Sequence, residues 1–163
     1  MKYANVYKLI GAIAVSELAG FVGATVTTSS LPVWYAGLAK PPLNPPPWIF
    51  APVWTTLYLL MGIAAFLVWR KGRAGRGTTN HETRRALSLF MLQLFLNSLW
   101  SIIFFGLHSP GWAFLEILLL AAAIIWTMVA FSKISRTATY LLVPYIAWVT
   151  FAAYLNLAIW IRN

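Results

Sequence analysis

The sequence predicts an all-α integral membrane protein, built as a bundle of five transmembrane helices. Two observations lead to this prediction. The chain has 163 residues, of which 61% are hydrophobic and 9% charged, whereas soluble domains carry about 25% charged residues. The apolar residues also fall into five long runs, each near the roughly 20 residues that a helix needs to cross the hydrocarbon core. We therefore expect one membrane domain over residues 1–163, surrounded by the lipid bilayer.

The five predicted segments are joined by loops. We expect helices at about 9–28, 48–69, 86–107, 112–132 and 138–161. Segment 1 could instead be a signal peptide, because Lys2 and Lys8 precede it, but Glu17 interrupts the apolar run and favours a membrane span. Pro144 predicts a kink in segment 5.

The first two loops differ in composition. Loop 1 (29–47) contains five prolines within residues 41–47, which exclude a helix there and favour stiff polyproline II. We expect this loop to form a lid. Loop 2 (70–85) is rich in Gly and Arg, and we expect it to be polar and mobile.

The distribution of charge predicts an orientation. The chain has 12 Lys and Arg against three acidic residues, a net charge of +9. Ten of the 12 cations lie in the N-terminus, loop 2 and the loop after segment 4, and only Lys40 and Arg162 lie on the other side. The positive-inside rule then places the N-terminus in the cytoplasm and loop 1 outside, in a prokaryotic inner membrane. Since the cations flank membrane spans, no nucleic acid is expected as a partner.

Polar and aromatic residues of four segments predict a pocket beneath loop 1. At about 1.5 Å per residue, most of them lie in the outer half of the bilayer. Helical spacing aligns them on one face of segments 2, 3 and 5: Trp54 and Tyr58; Gln93, Asn97, Trp100 and Phe104; and Tyr145, Trp148, Ala152 and Asn156. Such a lining suits a planar hydrophobic small molecule with polar edges.

Simpler interpretations of these residues are also open. The tryptophans can act as interfacial anchors, and the amides can hydrogen-bond neighbouring helices. Glu17 could take part in a proton relay, and Glu116 could accept a hydrogen bond from a Tyr or Trp. No metal site is expected, because His81 and His108 fall on opposite sides of the membrane. The absence of Asp and Cys excludes a Ser-His-Asp triad and thiol chemistry.

Several motifs carry a resemblance to a known family. They are WYxxLxKP at 34–41, NPPxW at 44–48, APVWTxLY at 51–58, QLxxNxxW at 93–100 and VPYxxW at 143–148. Together they resemble the signature of the translocator protein family, also called TspO/MBR, the peripheral benzodiazepine receptor or the tryptophan-rich sensory protein. The match runs through nearly the whole chain in the same order.

The resemblance implies a five-helix bundle, commonly a homodimer, that binds porphyrins such as protoporphyrin IX, haem-type tetrapyrroles and drug-like ligands beneath loop 1. No covalently bound cofactor is expected, and porphyrin is the expected ligand. By position, the resemblance assigns to the pocket Trp34, Trp48, Trp54, Asn97, Trp100 and Trp148, with Ala152 or Ala153 flanking it. Lys40 is then the loop 1 cation that could pair with a propionate.

The resemblance also implies a possible light-dependent degradation of porphyrin, an activity of some bacterial members of the family. Trp48 and Trp148 would be the candidate catalytic residues here. The chain departs from the family at Leu43, where many relatives have Trp. It also departs at Leu157, where animal members have the Tyr of a cholesterol motif. The leading hypothesis is a porphyrin-binding receptor or sensor. A transporter of porphyrin or lipid, a light-dependent porphyrin-degrading enzyme and a purely structural membrane protein are the alternatives.

Overall fold

The computed structural model describes residues 2–74 and 79–163, and helices are the only regular secondary structure within them. The α-helices are α1 (Lys2–Ser30), α2 (Phe50–Arg73), α3 (Asn80–Ser101), α4 (Pro110–Ser132), α5 (Arg136–Leu141) and α6 (Val143–Arg162). Three short turns extend them, π-helical at Leu31–Tyr35 and Ile102–Gly106 and 3-10 at Pro47–Ile49. Five helical runs are long and apolar enough to span a membrane, which confirms the predicted all-α, five-span fold.

Helix α1 is longer at both ends than the predicted 9–28. The hydroxyls of Thr25, Thr27, Thr28 and Ser29 donate to backbone carbonyls three or four residues earlier at 2.8–2.9 Å. These polar residues therefore stay within the helix instead of ending it. With the π-helical turn that follows α1, the irregular part of loop 1 shortens to residues 38–46, compared with the expected 29–47.

Loop 2 is also shorter than the predicted 70–85, because α2 and α3 extend into it. A capping box begins α3: the backbone N–H of Glu82 donates to Thr79 Oγ1 at 3.2 Å, and that of Thr79 donates to Glu82 Oε2 at 2.8 Å. This exchange satisfies donors that a helix start leaves free. Residues 75–78, including Arg76, lie outside the described residues, and so does the corresponding part of the prediction for loop 2.

Segment 5 consists of two helices, α5 and α6, that meet at Leu142. Pro144 has no N–H to continue the hydrogen-bond ladder of α5. The backbone N–H of Leu142 bonds the carbonyl of Thr139, three residues back, at 3.0 Å. The break lies where Pro144 predicted a kink.

Helix α1 docks on α2 and α3 through small residues. Gly62 of α2 faces the backbone of α1, where an added Cβ would stand 2.6 Å from the Cα of Ile13. On α3, the hydroxyl of Ser98 donates to the carbonyl of Ala19 at 2.8 Å. Contacts through small residues let transmembrane helices approach closely.

The buried core forms two clusters. The larger one joins α2, α3, α4 and α6, and includes Met61, Phe90, Ile117, Leu120, Ile124 and Tyr145. The smaller one lies at the end of the bundle that carries loop 1, the α3–α4 turn and the C-terminus, and contains Tyr35, Phe104, Phe105, Ala113 and Ile159. We call this end the loop 1 end and the opposite one the loop 2 end.

Candidate functional site

A cavity of about 420 Å³ lies between α1, α2, α3 and α6, towards the loop 1 end. Its lining is predominantly apolar and combines two walls of different character. One wall comes from α1, and the other comes from the aromatic residues of α2, α3 and α6. A cavity of this volume is within the range of about 300–1,000 Å³ that is typical of small-molecule sites.

The α1 wall is made of small and hydroxyl-bearing residues, together with Glu17, Phe21 and Leu31. The hydroxyls of Thr27 and Thr28 donate to the carbonyls of Gly23 and Ala24, at 2.9 and 2.8 Å. Because they are occupied within their own helix, these two groups present little free polarity to the cavity.

The opposite wall is aromatic. The ring of Trp54 stacks on that of Tyr58, with ring centroids 5.6 Å apart and an interplanar angle of 28°. Phe50 meets Trp148 edge-on, with centroids 6.2 Å apart, and Trp100 completes this wall. Several large rings around one cavity can stack on a planar ligand from more than one side.

A layer of hydrogen bonds behind the aromatic wall holds its rings in place. The hydroxyl of Tyr58 donates to Asn97 Oδ1, and Asn97 Nδ2 donates to the hydroxyl of Tyr145 at 3.1 Å. Trp100 Nε1 donates to Asn156 Oδ1 at 3.0 Å. Interhelical bonds of this kind restrict the rings to one orientation before any ligand arrives.

The cavity opens sideways, on the membrane-facing surface of the bundle. Its lining includes exposed residues from two neighbouring helices, namely Phe21, Ala24 and Thr28 of α1 and Ala51 and Thr55 of α2. The side chain of Phe21 is 66% exposed. The opening therefore lies between α1 and α2, where the hydrocarbon of a bilayer would surround it.

Five of the residues predicted for the site line this cavity. They are Trp54, Tyr58, Trp100, Trp148 and Ala152. The indole N–H of Trp148 is buried and has no hydrogen-bond acceptor among the described residues. It is a donor at the aromatic wall that no described residue occupies.

Four other predicted residues are buried and do not line the cavity. Asn97 and Tyr145 support it from behind, as described above, while Phe104 stacks on Trp100 with centroids 5.2 Å apart. Gln93 contacts Met61 through its amide nitrogen at 3.8 Å, and its amide oxygen has no partner. The stripe on segment 3 was correctly placed on one inward face, but most of that face packs against other helices.

The remaining two predicted tryptophans also lie away from the cavity. Trp48 is 73% exposed. Trp34 lies in the π-helical turn after α1 and stacks on the ring of His108, with centroids 4.4 Å apart. Neither of them lines the cavity, so Trp48 and Trp148 do not share it.

Loop 1 contributes little to the lining, since only Leu31 and Pro47 of the predicted 29–47 lid reach it. The ammonium of Lys40 donates to the carbonyls of Ala36 and Leu38 at 3.0 and 3.1 Å. It also lies 5.0 Å from the ring centroid of Tyr35. Lys40 therefore caps its own turn and is not directed at the cavity.

The α1 wall was missed by the sequence reasoning. Its lining residues are Glu17, Gly20, Phe21, Gly23, Ala24, Thr27, Thr28 and Leu31, and other missed positions are Phe50, Ala51, Thr55, Ser101 and Phe105. The α1 positions recur every three or four residues, which places them on one helical face. The small residues at 20, 23 and 24 were the available signal, because a cavity needs a wall without bulky side chains.

Within the described part of the chain, no group of three or more His, Asp or Glu side chains could hold a metal ion. Glu116 is 6% exposed, and neither of its carboxyl oxygens has a hydrogen-bond partner there. The interhelical partner expected for this residue is thus absent among the described side chains.

Comparison with known proteins identifies relatives along nearly the whole chain. The model of the TspO/MBR family matches residues 12–161. The tryptophan-rich protein TspO of Archaeoglobus fulgidus is 40% identical over 159 residues, covering 98% of this chain and 99% of that protein. TspO of Chlorobaculum tepidum is 44% identical over 86% of this chain and 85% of its own length. The translocator protein of Homo sapiens is 40% identical over 90% and 85%.

Proposed function

This chain belongs to the TspO/MBR family, and from that premise we propose that it is a membrane receptor that binds a planar hydrophobic ligand of the tetrapyrrole class, such as protoporphyrin IX. The ligand would occupy the cavity between α1 and the aromatic wall. The observation that carries the proposal is the convergence of Trp54, Trp100 and Trp148, from three helices, on one apolar cavity.

Dispersion and stacking would supply most of the affinity. Large aromatic side chains contribute strongly where they contact a ligand, and offset stacking adds about 0.5–1.5 kcal/mol per ring pair. The preformed hydrogen bonds behind Tyr58 and Trp100 lower the cost of ordering these rings. A macrocycle larger than the cavity would extend through the opening between α1 and α2, where the surroundings are also apolar.

The names of the relatives include tryptophan-rich sensory protein and translocator protein, and both sensing and translocation begin with binding. A binding site is therefore the step that the two hypotheses share. The light-dependent alternative involved Trp48 together with Trp148, and only Trp148 borders the cavity.

We also propose the orientation that the charges predict. The chain is a multi-pass membrane protein. Among the described residues, Arg70, Lys71 and Arg73 end α2, and Arg136 begins α5, both at the loop 2 end. The positive-inside rule would place that end and the N-terminus in the cytoplasm, and loop 1 outside. Homodimer formation stays a prediction.

A titration tests the binding proposal. Protoporphyrin IX is added in the dark to the detergent-purified protein, and quenching of tryptophan fluorescence is followed. We expect saturable quenching, with an affinity about tenfold weaker in Trp148→Leu, since loss of one stacked ring costs on the order of 1.4 kcal/mol.

Trp126→Leu is the matched control, because Trp126 is 59% exposed on α4 and does not line the cavity. Its affinity should equal that of the unsubstituted protein. Unchanged affinity in both Trp148→Leu and Trp54→Leu would refute this cavity as the site. Absence of saturable quenching would refute tetrapyrrole binding and favour a structural or lipid-handling role.

A further inference from the structure

We infer that the cavity selects planar ligands that carry a positively charged, protonated nitrogen, and that the carboxyl group of Glu17 is the partner of that nitrogen. The inference rests on the proposed function, because it uses the same cavity, and it adds the chemical class that the cavity prefers.

Glu17 belongs to the cavity wall of α1. It lies one helical turn before Gly20 and Phe21, which line the same cavity, and its side chain is half-buried. Among the described lining residues it is the one carboxyl group, and no Lys, Arg or His accompanies it. The described lining thus offers a ligand one carboxyl group and no basic side chain.

The neighbouring polar groups do not occupy Glu17. Within the described chain no donor hydrogen-bonds its carboxyl group, and the lining hydroxyls of Thr27 and Thr55 donate to Gly23 and Ala51 of their own helices at 2.9 and 3.0 Å. The hydroxyl of Tyr58 is directed away, to Asn97. Glu17 is consequently available as an acceptor.

A carboxyl group in this position stays ionised only with a partner. An ionised carboxylate in an apolar medium is stable only when it is paired with a cation or with hydrogen-bond donors. A ligand nitrogen that bears a proton would provide both, and the faces of Trp54 and Tyr58 would add cation–π attraction. The same carboxyl group would disfavour a ligand carboxylate at this depth. Porphyrin propionates would therefore be directed towards the opening and the loop 1 end.

Two dyes with the same ring system test the inference. 9-Aminoacridine is a cation at neutral pH, whereas acridine is neutral. The affinity of each is measured by fluorescence titration in a non-ionic detergent, for the unsubstituted protein, Glu17→Gln and Glu116→Gln. Glu116→Gln is the matched control, because it makes the same change at a carboxyl group that is buried outside the cavity. Protoporphyrin IX dimethyl ester, which has no free carboxylate, is titrated in parallel to report on the cavity itself.

We expect the unsubstituted protein to bind 9-aminoacridine at least about tenfold more tightly than acridine, as a charge-assisted hydrogen bond allows. Glu17→Gln should abolish that preference and leave the affinity for the porphyrin ester within about twofold. Glu116→Gln should keep the preference.

Equal affinities of the unsubstituted protein for the two acridines would overturn the inference without any variant. A preference that persists in Glu17→Gln would overturn it as well. If the porphyrin ester binds and neither acridine does, the inference fails while the proposed function stands. If 9-aminoacridine binds through Glu17 and the ester does not bind, the inference stands and the tetrapyrrole proposal fails. Absence of all binding refutes both.

Discussion

Helix α1 packs on α2 and α3, helix α4 packs on α3 and α6, and the two helices bury their surfaces in contrasting ways. From residue 5 to its end, α1 buries only Ser16, Gly23 and Ser30, which are seven residues apart on one narrow face. Helix α4 buries a broad apolar face that includes Ile117, Leu120, Ile124 and Phe131. The remaining surface of α4 is partly or fully exposed, and part of that of α1 lines the cavity.

The difference explains where the cavity forms. Small residues let α1 approach α2 and α3 along one line, and they leave space beside that line, because none of them fills it. The large side chains that α4 buries interdigitate with their neighbours. The two carboxyl groups within membrane spans differ in the same way. Glu17 on α1 borders the cavity, and Glu116 on α4 is buried in the packed core.

The largest effect on stability is expected on the α4 side. Leu120 is 1% exposed, and Leu120→Ala should lower the free energy of unfolding by about 2 kcal/mol or more, because it leaves a void among fixed neighbours. Leu119→Ala is the matched control, since Leu119 is 63% exposed and should change stability by less than about 0.5 kcal/mol. Thermal or denaturant unfolding in detergent, followed by circular dichroism, measures both. Equal losses would contradict the described packing of α4.

A large residue on the α1 wall should weaken ligand binding and leave the stability of the protein nearly unchanged. Ala24 lines the cavity at its exposed edge, so Ala24→Phe should fill space that a ligand needs and weaken protoporphyrin IX binding by about tenfold. Stability should change little, because the added ring displaces no packed side chain. Thr25→Phe, one residue along on the exposed surface, is the control and should bind normally. A loss of stability in Ala24→Phe similar to that of Leu120→Ala would show that this wall is packed after all.

The smallest effect concerns the hydrogen bonds behind the aromatic wall, which join α2, α3 and α6. Tyr58→Phe removes the hydroxyl that donates to Asn97 and keeps the ring that lines the cavity. Interhelical hydrogen bonds in membranes average about 0.6 kcal/mol, and we expect a loss of that order in unfolding experiments. Affinity for protoporphyrin IX should fall by a few-fold at most, since the ring remains. A tenfold loss would instead assign the hydroxyl to ligand binding.

Much of the aromatic wall could be predicted from residue patterns. Trp54 and Tyr58 share a helical face, and so do Trp148 and Ala152, because residues three or four positions apart lie on one side of a helix. The α1 wall could not be found in that way. Gly20 and Ala24 gain significance only from what lies opposite them: the ring of Tyr58 packs against Gly20 and leaves no room for a Cβ, whereas Ala24 lines the exposed edge of the cavity.

By itself, the sequence determined the membrane location, the five spans and the inward faces of α2, α3 and α6. Long apolar runs and helical periodicity are local properties of the chain, and they do not depend on how the helices are arranged. Only the tertiary structure decided which inward residues meet a cavity and which meet another helix. Asn97 and Trp100 follow the same stripe, yet Asn97 bonds Tyr58 and Tyr145 whereas Trp100 lines the cavity. The reason is that periodicity specifies a face, while the side chains of the opposing helix decide whether that face is covered.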